Sequence, residues 1–160
     1  MNVVERRSGG LSGAWGAWRK ASALDRLLAV EALVWLAAAR VAVLVLPFRA
    51  VVRLLDRRAR DAAPPPPTQR IGDIVRALNA VSRRAPWRCE CLERAAAGAM
   101  MLRIRRYPAS VFVGVAPAAG GGPLQAHAWL RCGDLPVVGE ETSVEEFAVV
   151  ARFAAENPGG

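Results

Sequence analysis

Few residues in this chain can do covalent or metal chemistry. The stretch "PWRCECLERAAAGAMMLRIRRYP" (86–108) sets Cys89 and Cys91 one residue apart at the mouth of a helical pattern; the third cysteine is Cys132, and the single histidine is His127 in "LQAHAWLRC". A thiol within hydrogen-bond reach of an imidazole is a nucleophile with its general base. The same four side chains are also a conceivable zinc set. Spacing argues against zinc, because structural knuckles separate paired cysteines by two to four residues and here one intervenes. His127 and Cys132, five apart on one strand, also point to opposite faces. A Cys89–Cys91 bridge would close a ring too small for a helix. An odd, sparse cysteine count reads as a reducing, cytoplasmic compartment. No metal and no cofactor is called for.

Electrostatics separates the two neighbouring thiols. Cys91 has Arg88 at i−3, Arg94 at i+3 and a helix N-terminus, all of which favour thiolate; Cys89 has Glu90 beside it and Glu93 at i+4, which disfavour it. Cys91 is therefore the better nucleophile. If Gly133–Asp134 is a two-residue turn, Cys132 faces Leu135, and counting back sets His127 directly opposite Glu140. A carboxylate there would orient the imidazole as the third member of a catalytic triad. Asp134, at the turn, is the fallback acid. The residues alone leave two readings open: a Cys91–His127–Glu140 triad, or half-buried thiols and a structural histidine.

Around these residues the chain divides by composition into an N-terminal basic, apolar helical segment (1–59), a Pro-rich linker (60–69, "RDAAPPPPTQ") and a core (70–160). Four consecutive prolines cannot continue a helix and favour a stiff rod. The segment "RLLAVEALVWLAAARVAVLVLPF" (26–48) approaches a membrane span in length, but Glu31 and Arg40 interrupt it, and charges in mid-span are costly in lipid. It reads as a long helix packed on the rest of the protein, or lying on a membrane surface with Arg49, Arg53, Arg57 and Arg58 at its far end. "ERRSGG" near the start is a poor export signal. Residues 1–61 hold 11 Lys/Arg against 5 Asp/Glu, so most of the net +8 lies there. That excess favours an anionic partner. Nucleic acid is excluded by the lack of interleaved aromatics, a Gly-rich RNA motif or a helix-turn-helix pattern.

After the linker, Ile71, Ile74, Val75, Leu78 and Val81 recur at helical spacing. A second helix runs from about Cys89 to Arg106, with Cys91, Ala95, Gly98, Ala99 and Leu102 forming a small apolar stripe that lets a strand approach. "ASVFVGV" (109–115) reads as a strand, "PAAGGGP" (117–123) as a loop, and "QAHAWLRC" with "LPVVGEE" as a hairpin around Gly133–Asp134. Ser143 and Glu146 are spaced as a capping box, which predicts a terminal helix over "TSVEEFAVVARF". The fold class is α+β: a catalytic helix packed on a small antiparallel sheet, preceded by an N-terminal helical segment.

The run from Arg88 to Glu141, with its Cys-Leu-x-Arg-Ala helix start, basic helix end, "VFVGV" strand and "AHAWL" before a Gly/Asp turn, resembles the transglutaminase-like core of lasso-peptide biosynthesis B proteins over about residues 70–155. The helix ending "LPF" is similar to the segment that precedes this core in the stand-alone protease subunit. The chain order, thiol on a helix and then histidine and acid on strands, is that of papain-like and transglutaminase-like enzymes. What the resemblance implies is a cysteine protease that removes the leader from a ribosomally made precursor peptide, with Cys91 as nucleophile and His127 as base. Its implied partners are that precursor, a small leader-binding protein and an asparagine-synthetase-like cyclase that closes the macrolactam ring. The family commonly carries an aspartate about twelve residues after the histidine; Gly139 stands there, and Glu140 is one step on. Two other readings of the chain are a non-catalytic, membrane-associated scaffold and a transglutaminase-type acyltransferase.

Overall fold

The computed structural model describes residues 21–55, 66–118, 122–140 and 144–154. The expectations placed on "ERRSGG", Arg57, Arg58, residues 60–65, Gly120 and Gly121, Glu141 and Ser143 lie outside the described residues. Helix α1 (Ala23–Val45) starts at Ser22, whose hydroxyl accepts from the Asp25 amide while the Asp25 carboxylate accepts from the Ser22 amide, a reciprocal cap. These Ser22 hydrogen bonds also hold the Asp25 carboxyl below its ordinary pKa. Pro47 follows its end, and a short α2 (Phe48–Leu55) comes next.

Helix α3 (Thr68–Ser82) begins directly after Pro67, a residue that suits a helix entrance. It buries Ile71, Ile74 and Leu78 as their spacing predicts, with Val75 and Val81 packed at the margin. At the start of helix α4 (Cys91–Ile104) the Glu90 amide donates to Glu93 Oε2 at 3.3 Å, so the Glu93 carboxylate caps the helix entrance. From Ala95 to Ala99 every residue of α4 is buried, together with Met101 and Leu102. A helix apolar all round must be covered all round. Here α1 and α3 pack on one side and the sheet on the other.

Two ion pairs fix α1 antiparallel to α4. Arg105 Nη1 and Nη2 donate to the two Glu31 carboxylate oxygens at 2.7 and 2.6 Å, and Arg40 Nη1 donates to Glu93 Oε1 at 2.8 Å. The two charges that interrupt the apolar N-terminal stretch are thus both spent on α4. Leu28, Ala32, Leu36, Val51 and Leu55 join the same buried cluster as α3, α4 and the sheet.

The sheet is antiparallel in the order β3-β2-β1-β4, with β1 Ser110–Ala118, β2 Gly122–Cys132, β3 Leu135–Val138 and β4 Ala148–Ala154. Gly133, with φ +58°, makes the β2–β3 turn at the predicted Gly-Asp pair, and Cys132 faces Leu135. The expected terminal helix is not formed. Val144–Glu146 makes one 3-10 turn, and the chain then pairs with β1 as β4. The alternation of "AVVARFA" explains this outcome: Ala151 and Phe153 face the core while Arg152 lies over the Phe112 ring at 5.4 Å on the other side. The architecture is α+β, with four α-helices and a four-stranded antiparallel sheet among the described residues.

Candidate active site

Cys91 is the first residue of α4, half-buried at its N-terminus. Cys89 precedes the helix. Its thiol lies 4.0 Å from the Trp87 carbonyl, and burial, reinforced by the Glu93 charge, pushes its pKa up. Cys132 is fully buried on β2, and burial raises its thiol to about 11. The arginines flanking Cys91 have partners of their own. Arg88 lies 3.5 Å from Glu90, and Arg94 Nη2 donates to Asn79 Oδ1 at 2.7 Å, clamping α3 to α4.

Gly98 sets the level of α4 against the sheet. A Cβ at that position would lie 2.6 Å from Leu130 Cδ2, so any larger residue would have to push the Leu130 side chain aside. From this contact Cys91 lies seven residues back along the helix, about 10 Å at 1.5 Å per residue. His127 lies three residues back along β2, also about 10 Å at 3.3 Å per residue. The C-terminal end of α4 leads through residues 107–109 to Ser110, which pairs with Arg131. The N-terminal end therefore points the other way along β2, in the direction of His127, which is the middle residue of that strand and pairs with Gly114.

They approach that end from different sides. Strand alternation turns Ala128, Leu130 and Cys132 toward the helices and His127, Trp129 and Arg131 away from them. The imidazole stacks 6.2 Å from the Trp129 ring and tilts against Phe147 at 5.3 Å. Among the described residues no hydrogen bond joins Cys91 to His127. The pairing of β3 to β2 reaches only as far as Leu130, so β2 has no partner strand on that side at the level of His127. At this open edge His127 Nε2 lies 2.6 Å from the Gly139 carbonyl oxygen. A carbonyl can only accept, so the proton sits on Nε2 and the Nδ1 lone pair is left free.

The structure does not bring Glu140 onto His127. The β2–β3 register slips by one residue, from Arg131↔Pro136 to Leu130↔Val138, and the count that set His127 opposite Glu140 no longer holds. The bulge turns both Val137 and Val138 into the core. Glu140 instead accepts from Arg131 Nε at 2.6 Å. Asp134 is exposed in the hairpin turn, just past the end of β2 and seven residues along the chain from His127. Sequence reasoning also missed Gly139. Its positive φ of +90° and a close fit, with an added Cβ 2.6 Å from the Ala128 carbonyl oxygen, fix the carbonyl that meets His127. The Trp87 indole N–H, four residues before Cys91 in sequence, is buried with no hydrogen-bond partner among the described residues.

No curated protein matches the chain, and no solved structure does. The family comparison is positive. Residues 33–152, three quarters of the chain, match the transglutaminase-like superfamily from within α1 to within β4. With the thiol-bearing helix, strands β1 to β3 and the single histidine all inside that span, the chain belongs to the transglutaminase-like superfamily.

Proposed function

We propose that this protein is a cytoplasmic cysteine peptidase that removes the leader from a lasso-peptide precursor before a separate cyclase closes the ring. The superfamily includes cysteine peptidases and acyltransferases. The observation that supports the peptidase reading is the His127–Gly139 contact, which in a neutral ring leaves Nδ1 to act as a base. The reaction requires Nδ1 to reach the Cys91 sulfur around the open edge of β2. The Gly139 carbonyl would then do the orienting expected of Glu140, with the Glu140–Arg131 pair bracing the same segment.

In the reaction His127 takes the proton from Cys91, and the thiolate attacks the carbonyl carbon of the last leader residue. The oxyanion is met by the Cys91 backbone N–H at the helix N-terminus and by the unpartnered Trp87 indole N–H. The C–N bond breaks, and the core peptide leaves with an amine protonated by His127. Water then hydrolyses the thioester, freeing the leader carboxylate and the thiol. Delivery of the precursor falls to a separate leader-binding protein.

The test is cleavage of the cognate precursor in the presence of that binding protein. Cys91→Ala should lower the rate by at least about 10³-fold, as loss of a nucleophile does, while Cys89→Ala keeps most activity. The reverse result would overturn the assignment of the thiol.

A further inference from the structure

The outward face of α1 has no partner among the described residues. Leu28, Ala32 and Leu36 form one buried stripe, and the opposite stripe carries Leu27, Val30, Val34, Val41 and Leu44, with exposures of 50 to 66%. Leu33 beside them is 44% exposed. The helix has 23 residues and spans about 35 Å, so this is a continuous apolar strip far longer than the scattered leucines of an ordinary surface. Its two charged residues within the strip's length, Glu31 and Arg40, are turned inward and bonded to α4. No hydrogen-bonding side chain breaks the outward stripe from Leu27 to Leu44.

We infer that this face rests on an anionic lipid surface, with α1 lying flat in the headgroup region. Charge and composition favour lipid over a protein groove. Arg26 flanks one end of the strip and Arg49 and Arg53 the other, all exposed, where phosphate headgroups would meet them. The sequence directly ahead of α1 carries Trp15, Trp18, Arg19 and Lys20, residue types that gather at lipid–water boundaries. The strip itself supplies only Leu, Val and Ala, with nothing to fix the register of a protein partner. Spanning is excluded by the packing: a transmembrane pose would pull the Glu31–Arg105 and Arg40–Glu93 pairs, and α4 with them, into hydrocarbon. The lipid side is the α1 side, so the sheet face bearing His127 points to the cytoplasm. This inference is independent of the peptidase reading, because it uses none of the residues assigned to the reaction.

Flotation of the full chain with vesicles tests it, using phosphatidylcholine alone and phosphatidylcholine with about one third phosphatidylglycerol. The wild type should float with the anionic vesicles at least ten times more than with the neutral ones. The exposed double variant Val34→Glu/Val41→Glu should lose that binding at least tenfold while keeping the wild-type melting temperature. Equal flotation with both vesicle types, binding unchanged in the double variant, or no binding at all would overturn the inference. A self-associating wild type that the double variant renders monomeric, without vesicle binding, would assign the strip to a second copy instead.

Discussion

The two faces of the sheet are built from alternate residues of the same strands and differ in almost every chemical respect. On the helix side Val111, Ala128, Leu130, Cys132, Val138 and Phe153 lock into one aliphatic cluster with α4. On the other side Phe112 stacks on Trp129 at 5.5 Å, Arg152 covers Phe112, and His127, Arg131 and Glu140 keep their polar groups half exposed. One face holds the molecule together. The other, with the open edge of β2, keeps groups that can still exchange protons and receive a substrate. Stability and reactivity are thus assigned residue by residue along β2.

The largest effect that would break or sharpen this contrast is a truncation at Leu130. Leu130→Ala should cost about 2 to 5 kcal/mol, because its side chain is fully buried against α4. Phe112→Ala, on the half-exposed face, should cost about 1 kcal/mol. Denaturant midpoints measure both, and equal losses would erase the distinction between the faces.

Next comes Gly139→Ala. With φ at +90° and an added Cβ 2.9 Å from Trp129 Cα, it should cost about 1 to 3 kcal/mol of strain. It should also lower precursor cleavage well beyond any effect of Arg131→Ala, since it displaces the carbonyl facing His127. Full activity in a folded Gly139→Ala protein would show that this carbonyl does not hold the base.

The smallest effect lies at Cys132 and appears only in alkali. Its thiol is raised from 9.0 to about 11 by burial. Between those values the folded chain keeps a proton that the unfolded chain has lost, so stability falls as pH rises from about 9 to 11. Cys132→Ala should give a shallower decline over that range in a series of unfolding midpoints. An unchanged slope would mean that the inner face is wetter than its packing indicates.

Much of this was legible in the sequence because single residues decide it. Gly133 marks a positive-φ turn, and the stripe Ala95, Gly98, Ala99 and Leu102 marks the helix face that meets a strand; the helix start was less legible, expected at about Cys89 and found at Cys91. The terminal strand was hidden because a helix-start spacing at Ser143 and Glu146 precedes it, and only pairing with β1 decides between the two forms. The slip in β3 was equally hidden. Val137 and Val138 are both apolar, so no pattern shows that both turn inward, yet that one extra residue moves Glu140 from His127 to Arg131. Backbone carbonyls carry no sequence signature, and the partner His127 finds is one of them.

The Arg40–Glu93 pair has a consequence for how small this molecule could be made. Glu93 is 1% exposed, and the guanidinium that answers its charge comes from α1, which packs on the other helices. A shortened chain reduced to the thiol helix and four strands would leave a buried carboxylate two residues after Cys91 without its guanidinium. The outer helix is thus a structural member of the reactive end, and any pared-down version has to replace its arginine or neutralise position 93.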